Sequence, residues 1–463
     1  MQDSITRQLS ARIGGATLLG LLAASAPGIA WAGSLPVTDP ARVGMSAERL
    51  GKIEQVFRSE VDAGRLAGVV MLVARNGMLA YSSTIGFQDK QAGKPMTEDA
   101  IFRIYSMTKP LASVGAMLLM EDGRLQLTDP VSRYLPEFAS TPVSVGRTDP
   151  YGKITYTTVA AERQATVQDL LRHTAGLTYG ETTENTAVKE GYAKAGVYQA
   201  DGTEYELRDV TPEDQVRALA QAPLVHQPGT RWEYSLATDV LGRVVEKVSG
   251  MRLGEFLRQR LFEPLRMNDT GFSVPQQALA RLAEPLPTGP AAGSATGSAS
   301  GARNAMLDVS TPPRNDSGGA GGVSTAGDYL RFLQMLANGG ELDGVRVLSP
   351  TTVRLMTSDH LGTRITPVVS PGELLLGTPG YTFGLGFAVR EGDGIAGVPG
   401  SKGEFLWAGY GGTYFWVDPQ ERIAAVMMSQ SMGPGRTYHR KLFKQMVYQA
   451  ITDGPQAGQV AGR

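Results

Sequence analysis

Apolar positions along the chain recur with two periods, and the two kinds of segment are unevenly placed. Behind Ser46 and Glu48, the residues Leu50, Ile53, Val56 and Phe57 recur at helical spacing, which predicts a capped helix over 46–64. Two β-rich runs follow, Val69 to Ala74 and Leu79 to Ile85, joined by Arg75-Asn76-Gly77. Asn-Gly between apolar runs predicts a hairpin. From about 104 to 360 the pattern is mostly helical segments and loops. Strand-like runs return at Phe383 to Val389, Phe405 to Val417 and Ile423 to Met428, with Asp418-Pro419-Gln420-Glu421 turning between the last two. A final helix is predicted over Tyr438 to Ile451. This order predicts an α+β fold: one sheet built from both chain ends (about 40–100 and 361–452), flanked by helices, with an all-helical region (about 104–360) inserted.

The first 32 residues read differently. Arg7 and Arg12 face one acid, Asp3; an apolar stretch runs from Ile13 to Trp31 and ends in Ala30-Trp31-Ala32. A charged start, an apolar middle and a small-residue exit predict a secretory signal peptide cleaved after Ala32, hence a periplasmic or secreted protein. The competing reading is an uncleaved anchor or a buried helix, against which Gly14, Gly15, Gly20 and Pro27 speak. No adjacent arginine pair is present, which favours the general secretory route. No other uninterrupted run of about 18 apolar residues appears, so no stable membrane anchor is expected after cleavage. Residues 287–303 are almost all Pro, Gly, Ala, Ser and Thr and predict a flexible surface loop; 453–463 read as a C-terminal tail.

Composition narrows the chemistry. With 44 basic and 45 acidic residues the formal net charge is −1, which gives no footprint for nucleic acid. Cysteine is absent, excluding disulfides, thiol catalysis and thiolate metal sites. His173, His226, His360 and His439 show no metal-ligand spacing, so neither a metal nor another cofactor is expected.

Three segments could carry a reaction. Ser106-Met107-Thr108-Lys109 precedes the apolar helical run Leu111 to Met120. A serine in the first helical turn lies near the positive end of the dipole, and a residue three positions on shares its face. A lysine desolvated beside a serine hydroxyl can take its proton and make a nucleophile. The plain alternative is a capping serine with a solvated lysine. Tyr234-Ser235-Leu236 stands before a helix predicted over Ala237 to Ser249; a tyrosine beside a lysine can relay a proton to a leaving group, or can simply be a half-buried aromatic. Trp407-Ala408-Gly409-Tyr410 opens a glycine-rich stretch within a strand-like run. A strand amide there could face an oxyanion, or the glycines could mark a bulge. No Gly-x-Ser-x-Gly elbow is present for a serine–histidine–aspartate triad. His173, at a predicted helix end, is expected to cap carbonyls.

Taken in order, Ile101 to Lys109, Asp169 to Leu177, Tyr234-Ser235-Leu236 with Asp239 to Gly242, Gly319 to Thr325 and Trp407 to Asp418 resemble the serine beta-lactamase and penicillin-binding protein superfamily. Within it the chain is most similar to the class C beta-lactamase-like branch that includes the family VIII carboxylesterases. The resemblance implies an antiparallel sheet flanked by helices, a helical domain beside it, and a site between the two. It implies Ser106 as the acylated nucleophile, Lys109 and Tyr234 as coupled base and acid, and the amides of Ser106 and Tyr410 as the oxyanion hole. Leu236, Trp407 and Gly409 would line the substrate. Leu236 stands where beta-lactamases carry asparagine, and Trp407-Ala408-Gly409 where they carry Lys-Thr-Gly. The loss of that amide and that cation shifts the expectation toward neutral, short-chain carboxylic esters. A class C-like beta-lactamase or D-Ala-D-Ala carboxypeptidase, and an inactive cell-wall-binding module, are the alternatives.

Overall fold

The two ends of the chain meet in one antiparallel sheet. A computed structural model describes residues 35–198, 208–286 and 306–453. The expected signal peptide, the 287–303 loop and all of the tail beyond Asp453 lie outside those residues. The sheet has eight strands: β1 (Gly68–Arg75), β2 (Met78–Asp89), β3 (Lys94–Pro95), β4 (Tyr381–Phe383), β5 (Ala388–Arg390), β6 (Phe405–Ala408), β7 (Tyr414–Asp418) and β8 (Ile423–Ser429), in spatial order β4-β5-β6-β7-β8-β1-β2-β3. The seam between the chain's two halves is the β1–β8 pair, in register from Val69 opposite Ser429 to Arg75 opposite Ile423. All eight residues of β1 are buried, as a central strand covered on both faces requires. The hairpin into β2 turns at Asn76 (φ 55°) and Gly77 (φ 78°), the two left-handed positions that Asn-Gly supplies.

Helices cover both faces. Helix α1 (Ala47–Asp62), capped by Ser46 accepting from the Arg49 amide, and the last helix, α6 (Gly435–Tyr448), pack together through Phe57 and Phe443. Along β7 the side chains alternate. Trp416 meets Phe443 of α6, with ring centroids 5.3 Å apart, and Phe415 points the other way, 5.4 Å from Tyr329 of α5 (Ala326–Ala337). The helical region adds α2 (Thr108–Glu121), α3 (Val167–Leu171) and α4 (Ala237–Ser249). Helix α2 is buried from Thr108 to Leu119 and packs on α4. Within the span expected to be all-helical, a two-stranded ribbon pairs Val143–Thr148 with Ile154–Val159, and α5 packs on the sheet.

Two runs expected to be single strands are hairpins. Phe383 to Val389 folds back at Gly384–Phe387, with Gly386 at φ 96°, so Tyr381 pairs with Arg390. Phe405 to Val417 reverses at Gly409–Gly412, pairing Trp407 with Phe415 and Ala408 with Tyr414. Gly412 (φ 101°) closes that turn with its N–H on the Gly409 carbonyl at 3.2 Å. Strands buried on both faces lack an alternating pattern, so an apolar run conceals such a reversal. The final helix starts and ends three residues earlier than expected.

Beneath the outer strands lies a buried ionic cluster. Lys444 Nζ donates to Glu404 at 2.6 Å, and Arg390 lies 3.5 Å from the same carboxylate. Tyr448 donates to Asp418 at 2.6 Å. The cluster ties α6 to β5, β6 and β7. Among the described residues no helix is long and apolar enough to cross a membrane.

Candidate active site

Ser106 occupies a single 3₁₀ turn, Tyr105–Met107, that leads into α2. Tyr105 is left-handed (φ 45°), a conformation that costs a non-glycine residue about 1–3 kcal/mol and persists only where the surroundings enforce it. Here every neighbour is tied. Ile104 N–H donates to the Gly322 carbonyl (3.0 Å), Thr108 Oγ1 donates to the Tyr105 carbonyl (2.6 Å), and Tyr329 OH donates to the Met107 carbonyl (2.8 Å). The strained turn holds Ser106 at the mouth of α2, 9 % exposed.

Lys109, one turn further on and 1 % exposed, meets three acceptors: Ser106 Oγ at 3.2 Å, Tyr179 OH at 3.0 Å and the Gly319 carbonyl at 2.8 Å. These match the three donors of an ammonium group, and none is a carboxylate. The Gly319 carbonyl is aimed by Asp239 of α4, whose Oδ1 accepts from Gly319 N (3.2 Å) and Ser317 Oγ (2.5 Å). A Cβ at 319 would lie 2.2 Å from Asp239 Oδ2, so only glycine fits there.

Tyr234 reaches Ser106 from the other side. Its hydroxyl donates to Ser106 Oγ at 2.5 Å, and Lys109 Nζ lies 4.6 Å from its ring centre. The ring is held by Trp407, Tyr179 and His173, with centroids 5.4, 5.2 and 5.1 Å away. The His173 ring does not cap helix carbonyls as expected; Nδ1 lies 3.1 Å from Ser235 Oγ, and the backbone carbonyl accepts from Glu233 N at 3.0 Å. Arg172 is the C-cap of α3, leaving His173 (φ 56°) free to turn inward. Burial, aided by the charge of Lys109, holds its pKa well below 6.5, so the ring is neutral.

The glycine hairpin closes the site. A Cβ at Gly409 would lie 2.3 Å from the Ile104 carbonyl oxygen, and one at Gly411 would lie 3.1 Å from the Tyr105 ring. The hairpin therefore rests directly on the residues that precede Ser106. Tyr410, at its tip, is 40 % exposed, and its ring packs edge-on to Tyr105. Leu236 and Trp407, expected to line the substrate, are closed to solvent. Leu236 is the N-cap residue of α4, and the Trp407 indole supports Tyr234 from the face of the sheet opposite α6. The structure thus brings together Ser106, Lys109, Tyr234, Gly409 and Tyr410, with Trp407 and Leu236 behind them. Sequence reasoning assigned no role to Tyr179, Gly319 or Asp239. Tyr179 carries no local signal; Asp239 and Gly319 stand inside matched segments, yet only the folded chain puts them beside Lys109. Among the described residues no group of three or more His, Asp or Glu could hold a metal ion.

A serine at the mouth of a buried helix, between a lysine and a tyrosine, beside an antiparallel sheet, defines a serine hydrolase of the beta-lactamase/transpeptidase-like fold. Residues 53–446 match the family model described as Beta-lactamase, and the chain belongs to that family. Esterase EstB of Burkholderia gladioli is 32% identical over 415 residues, covering 86% of this chain and 94% of that protein. Among solved structures, EstCE1, described as a hydrolase with promiscuous acyltransferase activity, superposes with a TM-score of 0.69 at 29% identity, covering 88% of this chain and 98% of that one. Simvastatin synthase LovD from Aspergillus terreus, with a TM-score of 0.70 at 23% identity, supports the fold alone.

Proposed function

We propose that the protein is a carboxylesterase that cleaves neutral, short-chain esters through an acyl-enzyme on Ser106. The observation that carries this reading is the convergence of Tyr234 OH and Lys109 Nζ on Ser106 Oγ, at 2.5 and 3.2 Å. Ser106 Oγ attacks the acyl carbon as its proton passes to the Tyr234–Lys109 pair, which reacts in the form that holds one proton fewer than an ammonium beside a phenol and so has a vacant site for it. The carbonyl oxygen takes up negative charge against the Ser106 and Tyr410 amides. Collapse breaks the C–O bond of the ester, and the alkoxide leaves with a proton. Tyr234 delivers that proton, since its half-buried hydroxyl can reach the leaving group and the enclosed Lys109 cannot. Water then repeats the sequence on the acyl-enzyme and frees the acid.

Ester preference is supported by what stands at the two motif positions, although both side chains are closed to solvent behind the nucleophile and act by leaving the site without an amide or a cation there. Leu236 offers no hydrogen bond to an amide, and Trp407 no charge to a carboxylate. The esterase name carried by EstB agrees with this. The N-terminal pattern of residues 1–32 supports export through the general secretory route, testable by N-terminal sequencing of protein recovered from the periplasm or medium. The enzymatic test sets p-nitrophenyl esters of graded acyl length beside a chromogenic cephalosporin and a D-Ala-D-Ala peptide, for wild type and Ser106→Ala. The reading expects fast turnover of short esters, slow or no turnover of the other two, and loss of ester cleavage in the variant. Faster cephalosporin or peptide cleavage would assign the site to the alternatives.

A further inference from the structure

Arg440, on α6, has an environment that stability does not account for. It is buried, and among the described residues no acidic side chain pairs with it within 4.0 Å. Its Nε has no partner, while Nη2 donates to the Gly409 carbonyl at 2.7 Å and Nη1 to the Leu375 carbonyl at 3.1 Å. Burial, reinforced by Arg436, lowers its pKa to about 9, the mark of a cation placed where folding alone would not put one. One helical turn earlier, Arg436 donates to the Tyr410 carbonyl at 2.7 Å and lies over the Tyr410 ring. Both peptide groups flanking Tyr410 are thus held by their oxygens, by two arginines on one face of α6.

A trans peptide is planar, with its C=O and N–H pointing in opposite directions. Pinning the Gly409 oxygen toward α6 therefore turns the Tyr410 N–H away from α6. Helix α6 packs on the Trp416 face of the sheet, and Tyr234 on the opposite, Trp407 face. On that second side the hairpin touches Ile104 and Tyr105, the residues leading into Ser106. We propose that Arg440 is a positioning residue for the oxyanion hole: its bond to the Gly409 carbonyl fixes the 409–410 peptide plane so that the Tyr410 N–H faces the ester oxygen bound at Ser106. The inference rests on the proposed esterase reading and deepens it. Within the turn this carbonyl also accepts from Gly412 N–H, at 3.2 Å; the shorter bond from Arg440 adds a second hold from outside the hairpin, in place before substrate arrives.

The test compares wild type, Arg440→Gln and Arg440→Lys, with rates normalised to Ser106 titrated by a fluorophosphonate. Each is assayed with an ester and with the matching thionoester, whose larger sulfur is a poorer acceptor for a fixed hole. Arg440→Gln is expected to lower kcat per titrated site by about 10- to 100-fold, less than the two to three decades lost with a whole donor, with KM little changed. Its ester-to-thionoester rate ratio should shrink, and Arg440→Lys should restore part of both. A purely structural arginine would change the titratable fraction and the melting temperature, leaving kcat per site and the ratio at wild-type values. That result, a parallel fall on both substrates, or failure of both variants to fold would overturn the proposal. Ester turnover by Ser106→Ala would instead overturn the esterase reading itself.

Discussion

Among the described residues two lysines, Lys444 and Lys109, are withdrawn from solvent, and they are accommodated differently. Lys444 sits under the outer strands with the Glu404 carboxylate at 2.6 Å and the rings of Tyr448 and Trp416 within 5 Å. Lys109 has two hydroxyls and a carbonyl, and among the described residues no acid pairs with it within 4.0 Å. The first has its charge cancelled on the spot and joins an otherwise costly ionic cluster to α6. The second has its nitrogen directed at Ser106, Tyr179 and the Gly319 carbonyl. Burial is common to both; the identity of the partner separates a lysine that holds the fold from one placed to serve a reaction.

Substituting each lysine should therefore have opposite consequences. Lys109→Met is expected to lower ester turnover by several decades while the melting temperature holds or rises, because a buried polar group with no acid beside it is replaced by an apolar chain. Tyr234→Phe should lose as much, and the double variant little more, since groups sharing one proton act as a unit. Steady-state kinetics on all three, with calorimetry on the first, checks this; multiplying losses would separate the two residues. Lys444→Met should do the reverse. Leaving Glu404 buried without its nearest cation should cost about 3–5 kcal/mol in denaturant unfolding, with turnover per titrated site unchanged.

A smaller effect sharpens the contrast through pH. Asp169 is buried, which alone would raise its pKa, but bonds from Arg163, Thr174 and the Thr166 amide bring it down to about 2 from 3.8. A carboxylate lowered in the folded state adds stability that is full above 3.8 and lost as pH falls toward 2; this lowering corresponds to about 2 kcal/mol. His173, neutral when folded, takes up a proton on unfolding below 6.5, so stability should already decline from there downward. Denaturant midpoints between pH 7 and 2 should show both limbs, and Asp169→Asn should shrink the lower one, to which Glu60, held down to about 2 by its bond to Arg65, also contributes. The smallest change expected is at Trp407. Its indole N–H is buried without a partner, so Trp407→Phe loses ring contact with Tyr234 but no hydrogen bond. About 1 kcal/mol of stability and less than tenfold in turnover should go.

How much of this could be read from the chain depended on whether a signal was local. Ser46 at a cap, Asn76-Gly77 between two apolar runs and the amphipathic span Ala237–Ser249 each carry their reason within a few residues, and each element formed as expected. The Phe405 to Val417 run did not reveal its reversal, because strands covered on both faces show no alternation and its four-residue turn resembles a bulge. The site divides the same way. Ser106 and Lys109 lie one helical turn apart and are legible in their spacing. Tyr179 and Arg440 reach the site across the fold, from 70 positions beyond Lys109 and from the last helix. Leu236 and Trp407 were legible as departures from a motif, but their burial follows from the packing of Tyr234 against the sheet.

The central claim is that Ser106 becomes acylated with Lys109 and Tyr234 as its proton-transfer partners. The most direct measurement is intact-protein and peptide mass spectrometry after rapid mixing with a short p-nitrophenyl ester and acid quenching, run beside the release of p-nitrophenol. The account predicts a burst of one equivalent and the mass of one acyl group on the peptide holding Ser106, with neither in Ser106→Ala. Turnover with no adduct, or an adduct on another residue that persists in the Ser106→Ala protein, would contradict it.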